Sequence, residues 1–512
     1  MFVELTLTVD GQIAFYFAFI YSYSVFLIFP ATWGIVCWRY FGEYSIACAI
    51  INCVLCVVFI EYWKMHETDL SLRWGTKGIG ELKVYRAQYL WDKKVANPIT
   101  GQFRSLFSVD KQFVRQLLMI PFASVAALAL GTLTMVTFAM NLFVSEVYNG
   151  PFKHYLETLP TVLFSLSLPA TTALLDNIAT LLTTYENYRT QEQYDLAQTQ
   201  KAFVMNFITS FLPTLLVAFV YIPFGAKIIL YLDIFRIAGL DSSSNLCREF
   251  RVSSTCLQHW VTYFTITGQV LNLGKGYILP YVNRTLRQKW RDCPMKQGKG
   301  SPDNYRSTAT DHLLHDSPEE VMFMNRIRRE AEADVFNAQE DIVAMCVQFG
   351  YLALFGVTWP LIPLGFLLNN WLKLRRDLFK LGLECQRPAP VRVDSIGPSL
   401  QRLEYLTWLG AISTPTIVHI YRGTGKNVNL STLLLTVLVA EKAYLAMRFA
   451  VRIGVEKLGS DSMRRNEARR YVVRKEYLDA LLKNMSRKLP KRVTQRVRFN
   501  QRVDVFTSTT QI

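Results

Sequence analysis

The sequence predicts an all-α polytopic membrane protein of about ten transmembrane helices. Three observations carry that reading. Of the 512 residues 51% are apolar, 13% are aromatic and only 19% are charged, less charge than a soluble domain of this length carries. Windows of about 20 apolar residues recur along the chain, long enough to cross a hydrocarbon core of roughly 30 Å. The connections between those windows alternate between long basic ones and short ones with few charges.

The spans follow in order. Ile13–Trp38 is long, aromatic and followed directly by Ser45–Trp63, so it reads as a span and not as a cleaved signal. Leu117–Val144, Leu159–Leu182 and Phe203–Phe224 come next. The fifth extends toward Phe235 if Lys227 and Asp233 face a polar surface. Trp260–Val282 is the sixth. Ile342–Trp359 and Leu361–Leu374 form a hairpin turned at Trp359-Pro360, where proline removes a backbone donor. Leu406–Ile420 and Leu430–Ala450 close the set.

Charge orients these spans. Lys64–Arg115, Arg284–Arg329, Arg375–Arg402 and the tail after Arg452 are rich in Lys and Arg, whereas Arg39–Tyr44, Ser145–His154 and Tyr421–Asn429 are short. The positive-inside rule then puts both termini in the cytosol. Residues 1–452 read as the membrane domain, with cytosolic loops 64–115 and 284–340, and 453–512 as a basic tail. Gly298–Asp316 has linker composition and Glu319–Glu340 helical composition. The sequon Asn429-Leu430-Ser431 falls on the outer side, too near a span to be used.

Nine cysteines form no framework. Cys37, Cys48, Cys53, Cys56 and Cys346 lie in or beside spans and read as packing residues. Cys53 and Cys56 make a CxxC inside a membrane helix with no partner pair, which argues against zinc. Cys247 and Cys256 share one outer loop, where a disulfide and two free thiols are both open.

Polar stripes mark the middle spans. Thr161, Ser165, Thr172, Asp176, Thr180 and Thr184 recur at four or seven residues on the fourth. Asn206, Ser210 and Thr214 repeat the pattern on the fifth, and Thr265, Gln269 and Asn272 on the sixth. Interhelical hydrogen bonding accounts for any one of them. Stripes on three consecutive spans point further, to a path for lipid headgroups or ions. Asp176 is its sharpest member, because a carboxylate within a membrane is functional by default. The tail pairs Arg464 with Arg465, Arg469 with Arg470, Arg474 with Lys475, Arg487 with Lys488 and Lys491 with Arg492. It reads equally as a solvated tail and as a binder of anionic lipid, worth about 1 kcal/mol per basic residue near the surface. Without interleaved aromatics it is no nucleic-acid binder. No P-loop, GxSxG or HExxH occurs, and the histidines are scattered, so no enzyme is expected.

A set of short motifs resembles the anoctamin family (transmembrane protein 16), in the flavour of its fungal members. Glu61-Tyr62-Trp63-Lys64 and Leu72-Arg73-Trp74-Gly75-Thr76 follow the second span; Tyr185-Glu186-Asn187-Tyr188-Arg189-Thr190 follows the fourth. Asn206-Phe207-Ile208-Thr209-Ser210 and Tyr221-Ile222-Pro223-Phe224-Gly225 lie in the fifth, and Leu279-Pro280-Tyr281-Val282 ends the sixth. Each is weak alone; in this order, from about Gly11 to Arg452, they are specific. The resemblance implies a ten-helix fold, a homodimer joined at the tenth helix, and a groove bounded by the third to seventh helices that carries lipid or ions such as chloride. Family members carry a cytosolic α/β domain before the first span. Here the first span starts after about ten residues, so the expectation is a protein lacking that domain or a truncated gene model.

The family also holds calcium between the sixth, seventh and eighth spans. Its pattern asks for Asn and Glu four apart, two acids three apart, and Glu and Asp four apart, each pair on one helical face. This chain has Asn272 then Gly276, Asp341 then Ala344, and Lys373 then Asp377. Two carboxylates and one ammonium are too little for an ion that wants six to eight oxygens. Calcium binding is therefore expected to be lost or weakened. Lys373 is expected to act as a tethered cation beside Asp341 and Asp377, or as a surface partner of Asp377 alone. Gly274 and Gly276 would loosen the sixth helix beside the site. The expected function is a phospholipid scramblase or ion channel not gated by calcium in the usual way. The alternatives are a tether between endoplasmic reticulum and plasma membrane through the basic tail, as in one yeast relative, and an inactive paralogue.

Overall fold

A computed structural model describes residues 11–78, 85–96, 103–142, 144, 156, 159–221, 255–262, 265–266, 269, 274, 322–324, 327, 336–383, 385–386, 392–422 and 430–488. Helix α1 (Gly11–Val36) runs on as a π-helical turn, Cys37–Phe41, and α2 (Ile46–Arg73) returns beside it. The reversal uses Gly42 at φ 71° and Tyr44 at φ 56°. Tyr44 N–H donates to Val357 O at 3.2 Å, tying this turn to a later one. The turn also corrects the reading of two cysteines. Cys37 and Cys48 are disulfide-bonded, because the reversal brings their Cα atoms to 6.2 Å.

The connection after α2 is not irregular throughout. Strands β1 (Lys93–Ala96) and β2 (Phe103–Leu106) form an antiparallel hairpin, with Lys93 opposite Leu106, so among the described residues the regular structure is helical apart from this pair. Helices α3 (Val109–Leu117) and α4 (Met119–Leu142) follow, then α5 (Leu159–Tyr185) and α6 (Gln191–Leu216). Helix α6 begins well before its apolar part, because the Thr190 hydroxyl accepts from Gln193 N–H at 3.3 Å and caps it. It ends in a π-helical turn, Val217–Tyr221. Most of the expected sixth span lies outside the described residues; α7 (Thr255–Thr262) is its start. Helices α8 (Ala338–Phe355) and α9 (Ile362–Leu383) are the hairpin expected around Trp359-Pro360. Then come α10 (Ser399–Arg422), α11 (Leu430–Leu458) and α12 (Asp461–Lys488). Among the described residues, four helical stretches are long and apolar enough to cross a membrane: Gly11–Phe41, Ile46–Arg73, Val109–Thr137 and Gln191–Val220.

Two packed units result. In the first, α1, α2, α8, α9 and α10 enclose an aromatic core. Phe19 meets Trp63 edge-on at 5.0 Å and Phe26 stacks on Phe59 at 4.5 Å. Helix α10 comes close to α8 at Gly410, where a Cβ would stand 2.6 Å from the Ala353 carbonyl oxygen. Helix α11 covers α10 and α2 through Tyr444, packed with Val57 and Ala411. In the second unit, α4, α5 and α6 share a small core of Ala126, Leu130, Leu175, Met205 and Ile208. Phe211 of α6 connects the two, lying against Gly350 with its ring 5.3 Å from that of Tyr351.

The tail is more ordered than its composition suggests. Helix α12 is anchored at its start, where Ser460 donates to Asp69 and Arg73 pairs with the same carboxylate at 2.8 Å. From there outward Arg464, Arg465, Arg469, Arg470, Arg474 and Lys475 are exposed. The side chains of Arg487 and Lys488, and all of Lys491 and Arg492, lie outside the described residues.

Candidate functional site

The start of α8 and the middle of α9 bring the expected metal-site positions together. Asn337 caps α8, its side-chain oxygen accepting from the N–H groups of Gln339 (3.2 Å) and Glu340 (3.4 Å). That puts Asp341 in the first turn, where the helix dipole favours a carboxylate. Lys373, only 6% exposed on α9, places its ammonium 2.9 Å from the Asp341 carboxylate. Asp377, one turn further, is fully buried and does not pair with Lys373. Its carboxylate accepts from the Tyr16 hydroxyl and pairs with Arg376 at 2.8 Å. Ala344 is half-buried on the face expected to carry a second acid. Asn272 and Gly276 lie outside the described residues. Among the described residues, no group of three or more His, Cys, Asp or Glu could hold a metal ion.

One turn before Lys373 on α9, the polarity becomes neutral. The Gln269 carbonyl oxygen accepts from Gln348 of α8 and from Asn369 of α9, both at 2.8 Å. Asn370 is fully buried and, among the described residues, neither of its side-chain polar atoms has a hydrogen-bond partner. The Gln348 and Asn369 carbonyl oxygens and the Thr265 hydroxyl are also without partners. Buried amides with open valences call for bridging water or a polar ligand. Gln269 and Thr265 were legible as stripe members. Gln348, Asn369 and Asn370 lie in the stretches Val347–Tyr351 and Leu367–Asp377, which resemble the seventh and eighth spans of the anoctamin family, but the resemblance gives these three amides no role of their own.

The stripes fall differently on the two units. On α5 the packed face is Leu175, Ala179 and Thr183, while Asp176, Thr180 and Thr184 are exposed and Thr172 is half-buried. Thr180 and Thr184 donate back to the carbonyl oxygens of Asp176 and Thr180, at 2.9 and 3.0 Å, which satisfies their hydroxyls within the helix. The side chains of Thr161 and Ser165 are outside the description. On α6, Asn206 and Ser210 are half-buried and Thr214 is fully buried. The Ser210 carbonyl oxygen accepts from Tyr351 of α8 at 2.7 Å.

Two charge clusters were not foreseen. Lys64 of α2 reaches Glu61 (3.0 Å) and Glu404 of α10 (2.5 Å), while Arg448 of α11 reaches Glu404 (2.9 Å) and Glu61 (3.4 Å). Lys201 of α6 pairs with Glu186, beyond the end of α5, at 2.6 Å with both side chains buried. Helical spacing signals only the Glu61–Lys64 pair; the links to Glu404, Arg448 and Lys201 join different helices.

Long apolar helices with paired charges and amides between them define an α-helical integral membrane protein. Residues 11–470 match a family model described as "Anoctamin: Calcium-activated chloride channel", and the chain belongs to the anoctamin family. An uncharacterised protein of Schizosaccharomyces pombe is 26% identical over 451 residues, 86% of this chain and 65% of that protein. Mouse Anoctamin-7 is 26% identical over 70% of this chain and 40% of its own length. Increased sodium tolerance protein 2 of Saccharomyces cerevisiae is 24% identical over 61% of this chain and 35% of its own length. The chain thus spans less than two thirds of these relatives.

Proposed function

We propose that this chain is a transport protein that moves phospholipid headgroups or ions, chloride among them, across a membrane without the family's usual calcium control. The reading rests on one observation: the Lys373 ammonium stands 2.9 Å from Asp341. The residues present do not fit calcium. Asp341 already has a cation, Asp377 is taken by Arg376 and Tyr16, and Ala344 offers no side-chain oxygen. A fixed ammonium in this place holds α8 and α9 in one relation at any calcium concentration. Ten spans, a homodimer, cytosolic termini, a groove between the third and seventh spans, and residence in the endoplasmic reticulum or plasma membrane belong to the same proposal.

Scrambling of fluorescent phospholipid in proteoliposomes, with calcium and with chelator, tests it. Equal rates in both conditions are expected, and Lys373→Glu is expected to make the rate calcium-dependent. No scrambling and no ion flux in either condition would remove the transport reading. One observation favours a second reading, a membrane tether: the basic residues of α12 are exposed from Arg464 onward. Neutralising Arg469 and Arg470 would then abolish binding to anionic vesicles and leave transport unchanged.

A further inference from the structure

Helices α6 and α10 lie side by side and run in step. Arg402 near the start of α10 donates to the Thr199 carbonyl oxygen at 2.9 Å, and Tyr421 near its end donates to the Ala218 carbonyl oxygen at 2.8 Å. A cavity of about 480 Å³ opens between the two helices. Each lines it with the same pattern, a glutamine followed by two rings. On α6 these are Gln200, Phe203 and Phe207; on α10 they are Gln401, Tyr405 and Trp408. Steps of three and four residues keep each set on one face of its helix. The two glutamines stand at one end of the cavity, where each helix leaves its polar start: α6 turns apolar after Lys201 and α10 after Glu404.

The lining says what fits. Arg402 is its only charged residue, and the Nε and Nη1 of that side chain are sealed off while Nη2 is engaged by Thr199. A charged headgroup therefore finds no partner there. What remains at the polar end is two neutral amides, each able to donate to and accept from a hydroxyl. Beyond them the walls are flat rings. A flexible acyl chain must be ordered to cover such walls, whereas a fused ring system arrives already rigid and loses little freedom. We propose that this cavity binds a sterol, its hydroxyl on Gln200 and Gln401 and its rings against Phe203, Phe207, Tyr405 and Trp408. The depth agrees, because a sterol dissolved in a bilayer keeps its hydroxyl at the level where polar side chains give way to apolar ones. The site is separate from the Lys373 pair and does not depend on what the protein transports.

The test uses the full chain in phosphatidylcholine nanodiscs containing cholesterol with a diazirine on its ring system, and crosslinks are mapped by mass spectrometry. Labelling is expected within 203–207 and 405–409 and should vanish under excess unlabelled cholesterol. Cholesterol methyl ether should compete poorly, because it cannot donate to a glutamine carbonyl oxygen. Trp408 is exposed and stands outside the aromatic core, so Trp408→Ala removes one ring of the wall without disturbing the fold. It should lower labelling about tenfold. Gln200→Leu combined with Gln401→Leu should let the ether compete as well as the free sterol does. The proposal is overturned by equal labelling of both segments from a phosphatidylcholine carrying the diazirine in its acyl chain. It is overturned as well if sterol and ether compete equally in the unmodified protein, or if Trp408→Ala leaves labelling unchanged.

Discussion

The unit formed by α1, α2, α8, α9 and α10 and the unit formed by α4, α5 and α6 are built on different terms. The first packs rings of Tyr23, Phe59 and Phe349 within about six ångströms of one another and encloses the amide cluster and the Lys373–Asp341 pair. The second has a core of small and aliphatic residues and turns Leu128, Val136, Leu174 and Leu181 outward. Facing lipid costs such side chains nothing, so helices of the second unit need little burial to be stable in a bilayer. The difference separates a frame that fixes polar groups against each other from a lipid-facing unit attached to it along α6, through Phe211 and the hydrogen bonds of Tyr351 and Arg402.

Three substitutions would sharpen or break that contrast. Phe349→Ala removes a ring shared between α1, α2 and α8, and should destabilise the whole protein by about 4 kcal/mol. Denaturation in mixed detergent micelles would read it, and a loss below that of a surface mutation would deny the first unit its role as frame. Lys201→Met leaves the Glu186 carboxylate buried without its cation and should cost about 3 kcal/mol. Hydrogen exchange should then rise in α5 and α6 and not in α8; a uniform rise would mean the two units unfold as one. Ile208→Val trims one methyl from the small core and should cost about 1 kcal/mol, again confined to α4–α6.

Much of this was legible in the sequence, for identifiable reasons. Spans declare themselves by continuous apolar runs, and the α8–α9 hairpin by Trp359-Pro360. Pairing is another matter. Lys373 has a polar partner both one turn along its own helix, at Asp377, and across on α8, at Asp341. Only the packing of α1, which delivers Tyr16, and the reach of Arg376 take Asp377 out of contention. Arg402 reads as solvated because a charge count cannot say that α6 closes over it. On α5 the stripe could be found by its period, but nothing in the period says whether Asp176 or Leu175 faces the neighbour. Cys37 and Cys48 are eleven residues apart in apolar surroundings, and only the reversal at Gly42 makes them a pair.

The α12 helix also sets a length. Its 28 residues make a rod of about 42 Å, fixed at one end by Asp69 and Arg73. That is close to the full thickness of a bilayer with its headgroups, roughly 40–45 Å. Lying flat, the rod would spread its arginines over several lipid headgroups; standing upright, it would carry its far end one membrane thickness from the anchor.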